Sequence, residues 1–417
     1  MSFFSNKIAF LLIMLLILFF TFSGTKASSF YSSKYFGQES ALASTQGIGM
    51  GGLGIALIDH SGTNFLNPAT VVPGGMTRLS AHFISESISM KNEAGSGHSN
   101  YLNANGLQLV IPFGDNIALS TGLAPLFIAA YDVREKGGSG TEAFEGLIHG
   151  KGSLNKLFMS FFGNIRNKLY LAGSFNYNFG KYDEQWKVTF VNSLYKNTSD
   201  INRVNYRGTN FTIGLVYNFT DRLRLGATLT TPMTLDAEAN TTFNFRIKNA
   251  DDEYEWGKTE DNDYTAKLPL AWGTGITYQL KKKWTFGIEY YTQSWENYEV
   301  NGHSAANDLK TTHRISMGCQ YKHTTDPFER YYKHIPVRFG FYYRNLYFSY
   351  QNTNDIIEYA GTIGLGFPFY FYQCRLDLAL AVGKRGSLEK NPVEEQIVNF
   401  MMTITGGEKW FVRHRKN

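Results

Sequence analysis

Residues 45–75 read TQGIGMGGLGIALIDHSGTNFLNPATVVPGG. Six glycines lie between Gly47 and Gly62, and the first long alternating segment begins directly after this stretch. Glycine permits positive φ and close approach of two backbone segments, but it makes an isolated helix or strand costly. We therefore expect residues 45–75 to pack inside a larger structure, which the rest of the chain must supply.

The composition excludes several classes of protein. Of the 417 residues, 18% are charged and 16% are aromatic, and the formal net charge is +5. A small charge spread along the chain gives no support to nucleic-acid binding. The mean hydropathy of −0.25 is too polar for a bundle of membrane helices, so the apolar residues are expected in short alternating strands.

Residues 1–27 are predicted to be a cleaved signal peptide. Lys7 precedes an almost wholly apolar run over residues 8–22, and Thr25 and Ala27 place small residues at the −3 and −1 positions of a cleavage site. The run is shorter than the ~20 residues that a spanning helix requires, so a retained membrane anchor is the less favoured interpretation.

The chain beyond residue 75 divides into alternating segments separated by turn residues. We predict strands at 76–91, 101–112, 115–127, 152–163, 168–191, 203–220, 222–246, 264–280, 284–300, 310–323, 335–350, 355–369, 372–385 and 394–411. Short turns alternate with longer polar loops, predicted at 92–100, 128–151, 192–202, 247–263, 301–309 and 386–393; the loop 324–334 breaks this rhythm. An even strand number with short periplasmic turns and long outer loops is typical of bacterial outer-membrane barrels.

The alternation assigns a polar face to the inside of this barrel. In 284–291, Trp284, Phe286 and Ile288 share one face, and Glu289 lies on the other. The same period recurs in 222–231, 337–344 and 372–383, and Cys319 and Cys374 are expected to be small wall residues on separate strands. Aromatic residues near strand ends are expected to form interfacial girdles: Trp272, Trp284, Trp295, Tyr347, Phe367, Phe369, Trp410 and Phe411.

Five charged residues are predicted to face the lumen: Glu289, Arg314, Arg338, Arg375 and Asp377. Buried charges need partners. An ion network that holds the wall to the segment inside it is the favoured interpretation, and a site for a carboxylate head group is the alternative.

Three motifs resemble the N-terminal signature of the FadL-type outer-membrane transporters. They are Gly49-Met50-Gly51-Gly52, the run Ala56–Asp59, and the run Asn64–Ala69. The chain departs from that signature at His60 and Thr70. The resemblance implies an all-β fold, a 14-stranded antiparallel transmembrane β-barrel over residues 76–411, followed by a basic tail at 412–417. It also implies a short N-terminal plug over residues 28–75 that contains Gly49, Met50, Gly51, Gly52, Asp59, Asn64, Asn67, Pro68 and Ala69.

The resemblance further implies a lateral exit at a kink in the third strand. Gly122 weakens strand pairing, and Pro125 cannot donate a ladder hydrogen bond. In a barrel the unmade bond must face water, protein or a ligand. The other interpretation is that Pro125 merely ends the third strand at the outer rim.

The expected function is passive passage of hydrophobic or amphipathic, fatty-acid-like molecules across a Gram-negative-type outer membrane. The expected partners are outer-membrane lipid and a hydrophobic small-molecule ligand. The PorV/PorQ-like barrels of type IX secretion share the signature, so a secretion-associated barrel with a protein partner is the alternative.

The acidic stretch 251–263 is expected to be a solvated loop rather than a cation site, and no metal or cofactor is implied. An enzyme would need a Ser, a His and an acid that converge, and the predicted strands assemble none.

Overall fold

A closed antiparallel barrel of fourteen strands encloses residues 29–59 and 64–75. The barrel closes because the first strand pairs with the last, from Thr77 opposite Glu408 to Lys91 opposite Glu394. The computed structural model describes residues 29–59, 64–192, 195, 197–248, 253–304, 307–324, 326, 328–350, 354–369 and 374–410. The predicted signal peptide and the basic tail lie outside the described residues.

The barrel strands are numbered in chain order. The first seven are β1 Thr77–Asn92, β2 Gly95–Pro112, β3 Ile117–Gly137, β4 Phe144–Ile165, β5 Leu169–Phe190, β6 Thr198–Asn218, and β7 with its two parts Leu223–Thr230 and Met233–Lys248. The others are β8 (Glu253–Asp261, Tyr264–Leu268, Ala271–Leu280), β9 (Trp284–Gln293, Glu299–Val300), β10 (His303–Ser304, Thr312–Tyr321), β11 Val337–Tyr350, β12 Asn354–Phe369, β13 Cys374–Arg385 and β14 Glu394–Glu408.

The predicted fold class is confirmed, and the fourteen predicted strands occur in the predicted order. Several predicted outer loops are wrong, because the strands continue as paired ribbons. The predicted loop 92–100 is a turn between Asn92 and Gly95, and most of 128–151 is strand. The predicted loops 192–202, 247–263 and 301–309 also contain strand, and residues 251–252 of the acidic stretch lie outside the described residues.

The end with the long ribbons is called the outer end, and the opposite end is called the turn end. The loop of the turn end that broke the predicted rhythm, 324–334, carries a 3-10 helix, Tyr331–His334. The loop at 386–393 is present as predicted. Among the described residues, no helix has both the length and the apolar composition needed to cross a membrane.

The alternating faces lie as the sequence predicts. Ile288 is 57% exposed on the outer face of β9, whereas its neighbour Glu289 is 2% exposed on the inner face. Cys319 lies on β10 and Cys374 on β13, and both are free thiols.

The N-terminal segment, described over residues 29–59 and 64–75, lies inside the barrel and reaches from the outer end to the turn end. It contains the 3-10 helix Phe30–Ser33, the two-residue strand Gln38–Glu39, the short helix Thr45–Ile48, and the 3-10 helix Pro68–Thr70. Gln38 and Glu39 pair with Ile128 and Phe127 of β3, so this segment also joins the sheet.

An aromatic cap closes the outer end. Its central members are Tyr31, Phe36, Phe127, Tyr206, Trp295 and Tyr347. Trp295 and Tyr347 are 0% and 1% exposed, with their ring centroids 4.4 Å apart, so their prediction as interfacial girdle residues is wrong. The N-terminal segment supplies Tyr31 and Phe36, which could pack there only if the barrel closes around them.

Candidate functional site

Glu289 binds the glycine-rich stretch to the wall. Its carboxylate accepts hydrogen bonds from the backbone N–H groups of Gly54 at 2.7 Å, Ile55 at 2.7 Å and Ala56 at 2.9 Å. Successive N–H groups that converge in this way form an anion-binding nest. A lumen charge that the sequence singled out thus lies at the centre of the contact between β9 and the N-terminal segment.

Glycine is required where the N-terminal segment touches the wall most closely. Gly51 has φ of +80°, and a Cβ there would lie 2.4 Å from the carbonyl oxygen of Phe341. On the wall side, a Cβ on Gly340 would lie 2.1 Å from the Gly51 nitrogen. Gly49 and Gly52 belong to the same turn, and Met50 between them is fully buried. Glycine on both surfaces brings the two backbones into direct contact.

The Asn64–Ala69 run folds back on the glycine-rich stretch through its two asparagines. Asn64 donates to the Thr70 hydroxyl at 2.8 Å. Asn67 caps the 3-10 helix that contains Pro68 and Ala69, because its Oδ1 accepts from the Ala69 N–H at 3.0 Å. Its Nδ2 donates to the carbonyl of Ile55 at 2.6 Å. The asparagine side chains therefore replace the regular backbone pairing that this irregular segment lacks.

A second ionic contact ties the segment to the wall near the turn end. Arg375 Nη2 lies 2.6 Å from Asp59 Oδ2, and its Nε contacts Asp377. Arg338 Nη1 lies 2.7 Å from the other oxygen of Asp377. Alternating cations and anions satisfy one another in this chain of contacts, as buried charges require. Three more of the predicted lumen charges are thus paired within the protein.

A further ionic cluster, nearer the outer end, was missed by the sequence analysis. Arg385 contacts Glu358 at 2.6 Å and Glu395 at 2.8 Å, and Glu358 also contacts Arg344 at 3.0 Å. Glu395 accepts hydrogen bonds from the Ser29 hydroxyl at 2.8 Å and from the Phe30 backbone N–H at 2.9 Å. Glu358, Arg385 and Glu395 lie near strand ends, where alternation with apolar neighbours is weak. Arg344 lies within the alternating segment 337–344, and its inward position there could have indicated it.

Two cavities of about 100 Å³ and 110 Å³ lie in the middle of the lumen. Glu39, Ser40, Leu42, Arg314 and Arg344 line both cavities and form the partition between them. Burial raises the pKa of the Glu39 carboxyl above its ordinary 4.5, and the nearby cations Arg344 and Arg314 oppose this shift.

Arg314 differs from the other predicted lumen charges. Its guanidinium lies 5.0 Å from the ring centroid of Tyr291, and its Nη2 has no hydrogen-bond partner among the described residues. An unsatisfied buried N–H group costs free energy, and a guanidinium matches a carboxylate in shape and charge. Of the five predicted lumen charges, Arg314 is the one that lines the cavities.

The wall is unpaired between β2 and β3. Their ladder runs only from Leu107 opposite Leu123 to Pro112 opposite Ala118, although every residue from 95 to 137 is described. From Gly106 and Ala124 towards the outer end, β2 pairs only with β1, and β3 pairs with β4 and with residues 38–39.

Gly122 and Pro125 lie on either side of the point where this ladder stops. Gly122 faces Gln108 in the last part of the ladder, and a Cβ there would lie 2.2 Å from the Leu107 carbonyl oxygen. Pro125 adjoins an irregularity in the pairing of β3 with β4. The interpretation that Pro125 ends the third strand is wrong, because β3 continues to Gly137.

The N-terminal segment occupies part of this gap, and the first cavity lies behind it. The Ser40 N–H donates to the Leu126 carbonyl at 2.9 Å, and Asn105 of β2 donates to the Ala41 carbonyl at 3.1 Å. Tyr101 on β2 and Ile128 on β3 contribute to the cavity lining. Residues 38–41 therefore lie between the cavity and the gap.

No group of acidic, histidine and cysteine side chains among the described residues is arranged to hold a metal ion.

Three solved structures share this architecture. A structure titled CymD monoaromatic hydrocarbon channel is 16% identical, with 89% of this chain and 98% of that chain covered and a TM-score of 0.60. The Ralstonia pickettii toluene transporter TbuX is 15% identical (87% and 97% covered, TM-score 0.59). A Pseudomonas aeruginosa FadL homologue is 14% identical (87% and 98% covered, TM-score 0.56). The resemblance to FadL-type barrels is thus confirmed for the fold. No curated protein sequence matches significantly. The BamG family model matches residues 5–417, and the chain therefore belongs to the BamG family.

Proposed function

We propose that this barrel is a passive outer-membrane channel for hydrophobic or amphipathic small molecules, which pass between the lumen and the membrane through the gap between β2 and β3. The observation that carries the proposal is the first cavity, whose lining reaches both strands where their ladder has stopped. Gly122 and Pro125 mark this lateral opening. The names of the structural neighbours, a monoaromatic hydrocarbon channel and a toluene transporter, support the same class of ligand.

The N-terminal segment serves as the plug of this channel, within a chain composed of a signal peptide, a plug at 28–75 and a barrel. The ionic contacts of Asp59 and the nest around Glu289 fix its lower part. Residues 37–41 have a different role, because they lie across the gap and are held by few backbone hydrogen bonds. This upper part must shift when a ligand passes.

Arg314 gives the channel a preference for acidic amphiphiles. A ligand carboxylate at the partition would supply the hydrogen-bond acceptor that Arg314 Nη2 lacks. The apolar part of the ligand would extend past Leu42, Leu126 and Phe127, which line the second cavity. Glu289, Arg338, Arg375 and Asp377 hold the plug, so their side chains are not available to the ligand.

A reversible cross-link tests this proposal. Gln38 and Ile128 are Cα partners in an antiparallel ladder, a spacing that a disulfide can bridge. The Gln38→Cys/Ile128→Cys variant, made with Cys319→Ser and Cys374→Ser, is assayed in proteoliposomes for uptake of a fluorescent twelve-carbon fatty acid. Oxidation should abolish uptake, and reduction should restore it.

Two controls make the result specific. Ser89→Cys/His98→Cys joins Cα partners of β1 and β2 in the wall and should leave uptake unchanged when oxidised. The Gln38→Cys single variant measures the loss of the Gln38 side-chain hydrogen bonds. Full uptake by the oxidised Gln38→Cys/Ile128→Cys protein would overturn the lateral route. Purification with a stoichiometric protein partner and without any bound small molecule would favour the secretion-associated alternative.

A further inference from the structure

The outer face of β4, β5 and β6 changes sharply in character along its length. Nearer the turn end, the outward side chains are large and apolar, and Phe161, Phe211 and Ile213 are 62%, 53% and 54% exposed. An exposed apolar band on a barrel of this kind is the surface that faces lipid chains. The apolar residues of β4 span residues 157–165, which matches the ~9–11 residues of a membrane-crossing strand.

Charged side chains join and then replace the apolar ones along the strands towards the outer end. One set of Cα partners across β4, β5 and β6 consists of Asn155, Phe179 and Arg207. The set four residues further along each strand, towards the outer end, consists of Lys151, Asp183 and Arg203. Lys181 lies between these two sets on β5. This belt begins where the apolar band stops, so it lies at the level of the lipid head groups.

An open groove of about 690 Å³ crosses this boundary. Its floor has short side chains, those of Ser153, Asn155 and Asn205. The cations Lys151, Lys181 and Arg207 line its polar part together with the carboxylate of Asp183. Its apolar part is lined by Leu157, Tyr177 and Phe179. The rings of Tyr177 and Phe179 stack with their centroids 5.9 Å apart, so they form one continuous apolar wall.

The ion pairs of these cations are weak. Lys181 Nζ lies 3.5 Å from Asp183, and Arg207 Nη2 lies 3.4 Å from Glu238, with all of these side chains partly exposed. Exposed pairs at such distances contribute little to stability. Among the described residues no carboxylate lies within ion-pair distance of Lys151. The groove can therefore offer its cations to a ligand without breaking a buried network.

We infer that this groove binds a phosphorylated lipid of the outer leaflet. The phosphate lies among Lys151, Lys181 and Arg207, and an acyl chain lies along Leu157, Tyr177 and Phe179. Basic side chains next to a membrane surface attract anionic head groups, and arginine and lysine are the usual partners of phosphate. A groove with a cationic end and an apolar end fits an amphiphile better than a free anion. This inference rests on the membrane placement in the proposed function, but it does not depend on transport.

Native mass spectrometry of the full-length barrel in detergent tests the inference, with diphosphorylated lipid A as the probe. The Lys151→Glu/Lys181→Glu/Arg207→Glu variant should retain the lipid about tenfold less than the unmodified protein, because each cation near the head group adds to the attraction. Lys281→Glu/Lys282→Glu/Lys283→Glu makes the same change of charge in an exposed turn at the turn end and should retain the lipid fully.

A second pair of measurements separates the lipid from a free anion. Tyr177→Ala/Phe179→Ala should weaken lipid A retention while the cations remain in place, and inorganic pyrophosphate should bind far more weakly than lipid A. Equal retention by the triple groove variant, equal loss in the turn-end variant, or pyrophosphate binding as tight as that of lipid A would each overturn the inference. Fatty-acid uptake measured on the same variants should remain normal, so failure here is distinguishable from failure of the channel.

Discussion

Replacement of Glu289 by glutamine should loosen the N-terminal segment while the barrel remains closed. The carboxylate accepts from three successive backbone N–H groups, those of Gly54, Ile55 and Ala56. A glutamine side chain keeps one acceptor oxygen, which can serve Ile55 and Ala56. Its amide group then points towards the Gly54 N–H, so two donors face each other.

The expected loss follows from these contacts. Hydrogen bonds to a charged group contribute about 1.5–3 kcal/mol each, against about 0.5–1.5 kcal/mol for neutral ones, and a buried donor without a partner costs about 1–3 kcal/mol. Two weakened bonds and one orphaned donor together lower the free energy of docking by about 3–5 kcal/mol. This corresponds to a hundredfold or greater rise in the population of the undocked segment, at about 1.4 kcal/mol per factor of ten.

Hydrogen exchange followed by mass spectrometry measures this population directly. Peptides that contain residues 53–57 should exchange about a hundredfold faster in the Glu289→Gln protein, whereas peptides from β4 and β5 should be unchanged. Glu299→Gln is the matched control on β9, because its partner Lys267 is exposed and lies 3.1 Å away; this change should cost less than about 1 kcal/mol. Less than a threefold difference at residues 53–57 would refute the assignment of Glu289 as the anchor of the segment.

Three further results are expected. Arg314→Gln should weaken binding of a fatty-acid anion about tenfold or more but leave binding of toluene unchanged, as measured by displacement of a fluorescent probe; equal loss of both ligands would contradict the head-group role. Phe36→Ala removes a ring from the aromatic cap and should raise single-channel conductance in a planar bilayer, and a conductance that stays at the unmodified value would show that the cap does not seal the outer end. Because the pKa of Glu39 is raised above its ordinary 4.5, its contribution to docking of residues 38–41 is fully present below pH 4.5 and is lost as pH rises through the raised pKa. Glu39→Gln should therefore abolish the pH dependence of the protection factor of that peptide, which is its intrinsic exchange rate divided by the measured rate. A pH-dependent protection factor that persists in the variant would assign the dependence to another group.

Alternation along the chain was sufficient to predict the barrel. A strand with lipid on one side and polar contacts on the other shows the period of two in every membrane-crossing part, and Ile288 beside Glu289 is a clear example. The same reasoning failed beyond the membrane. From Asp132 onward no side chain of β3 is buried, so the ribbon that it forms with β4 continues to Gly137 without a buried apolar face to reveal it.

The sequence by itself thus determined the strands, their order and the need of residues 45–75 for an enclosing structure, because these follow from local periodicity and from the conformational cost of glycine. Only the tertiary structure decided the partners. Glu289 and Gly54 are 235 residues apart, and no local pattern reports a contact of that separation. Trp295 and Tyr347 look like interfacial aromatic residues until the closed barrel stacks them beneath the outer end. The glycine-rich stretch needs an enclosing structure, and the closure of the barrel determines which wall residues contact it.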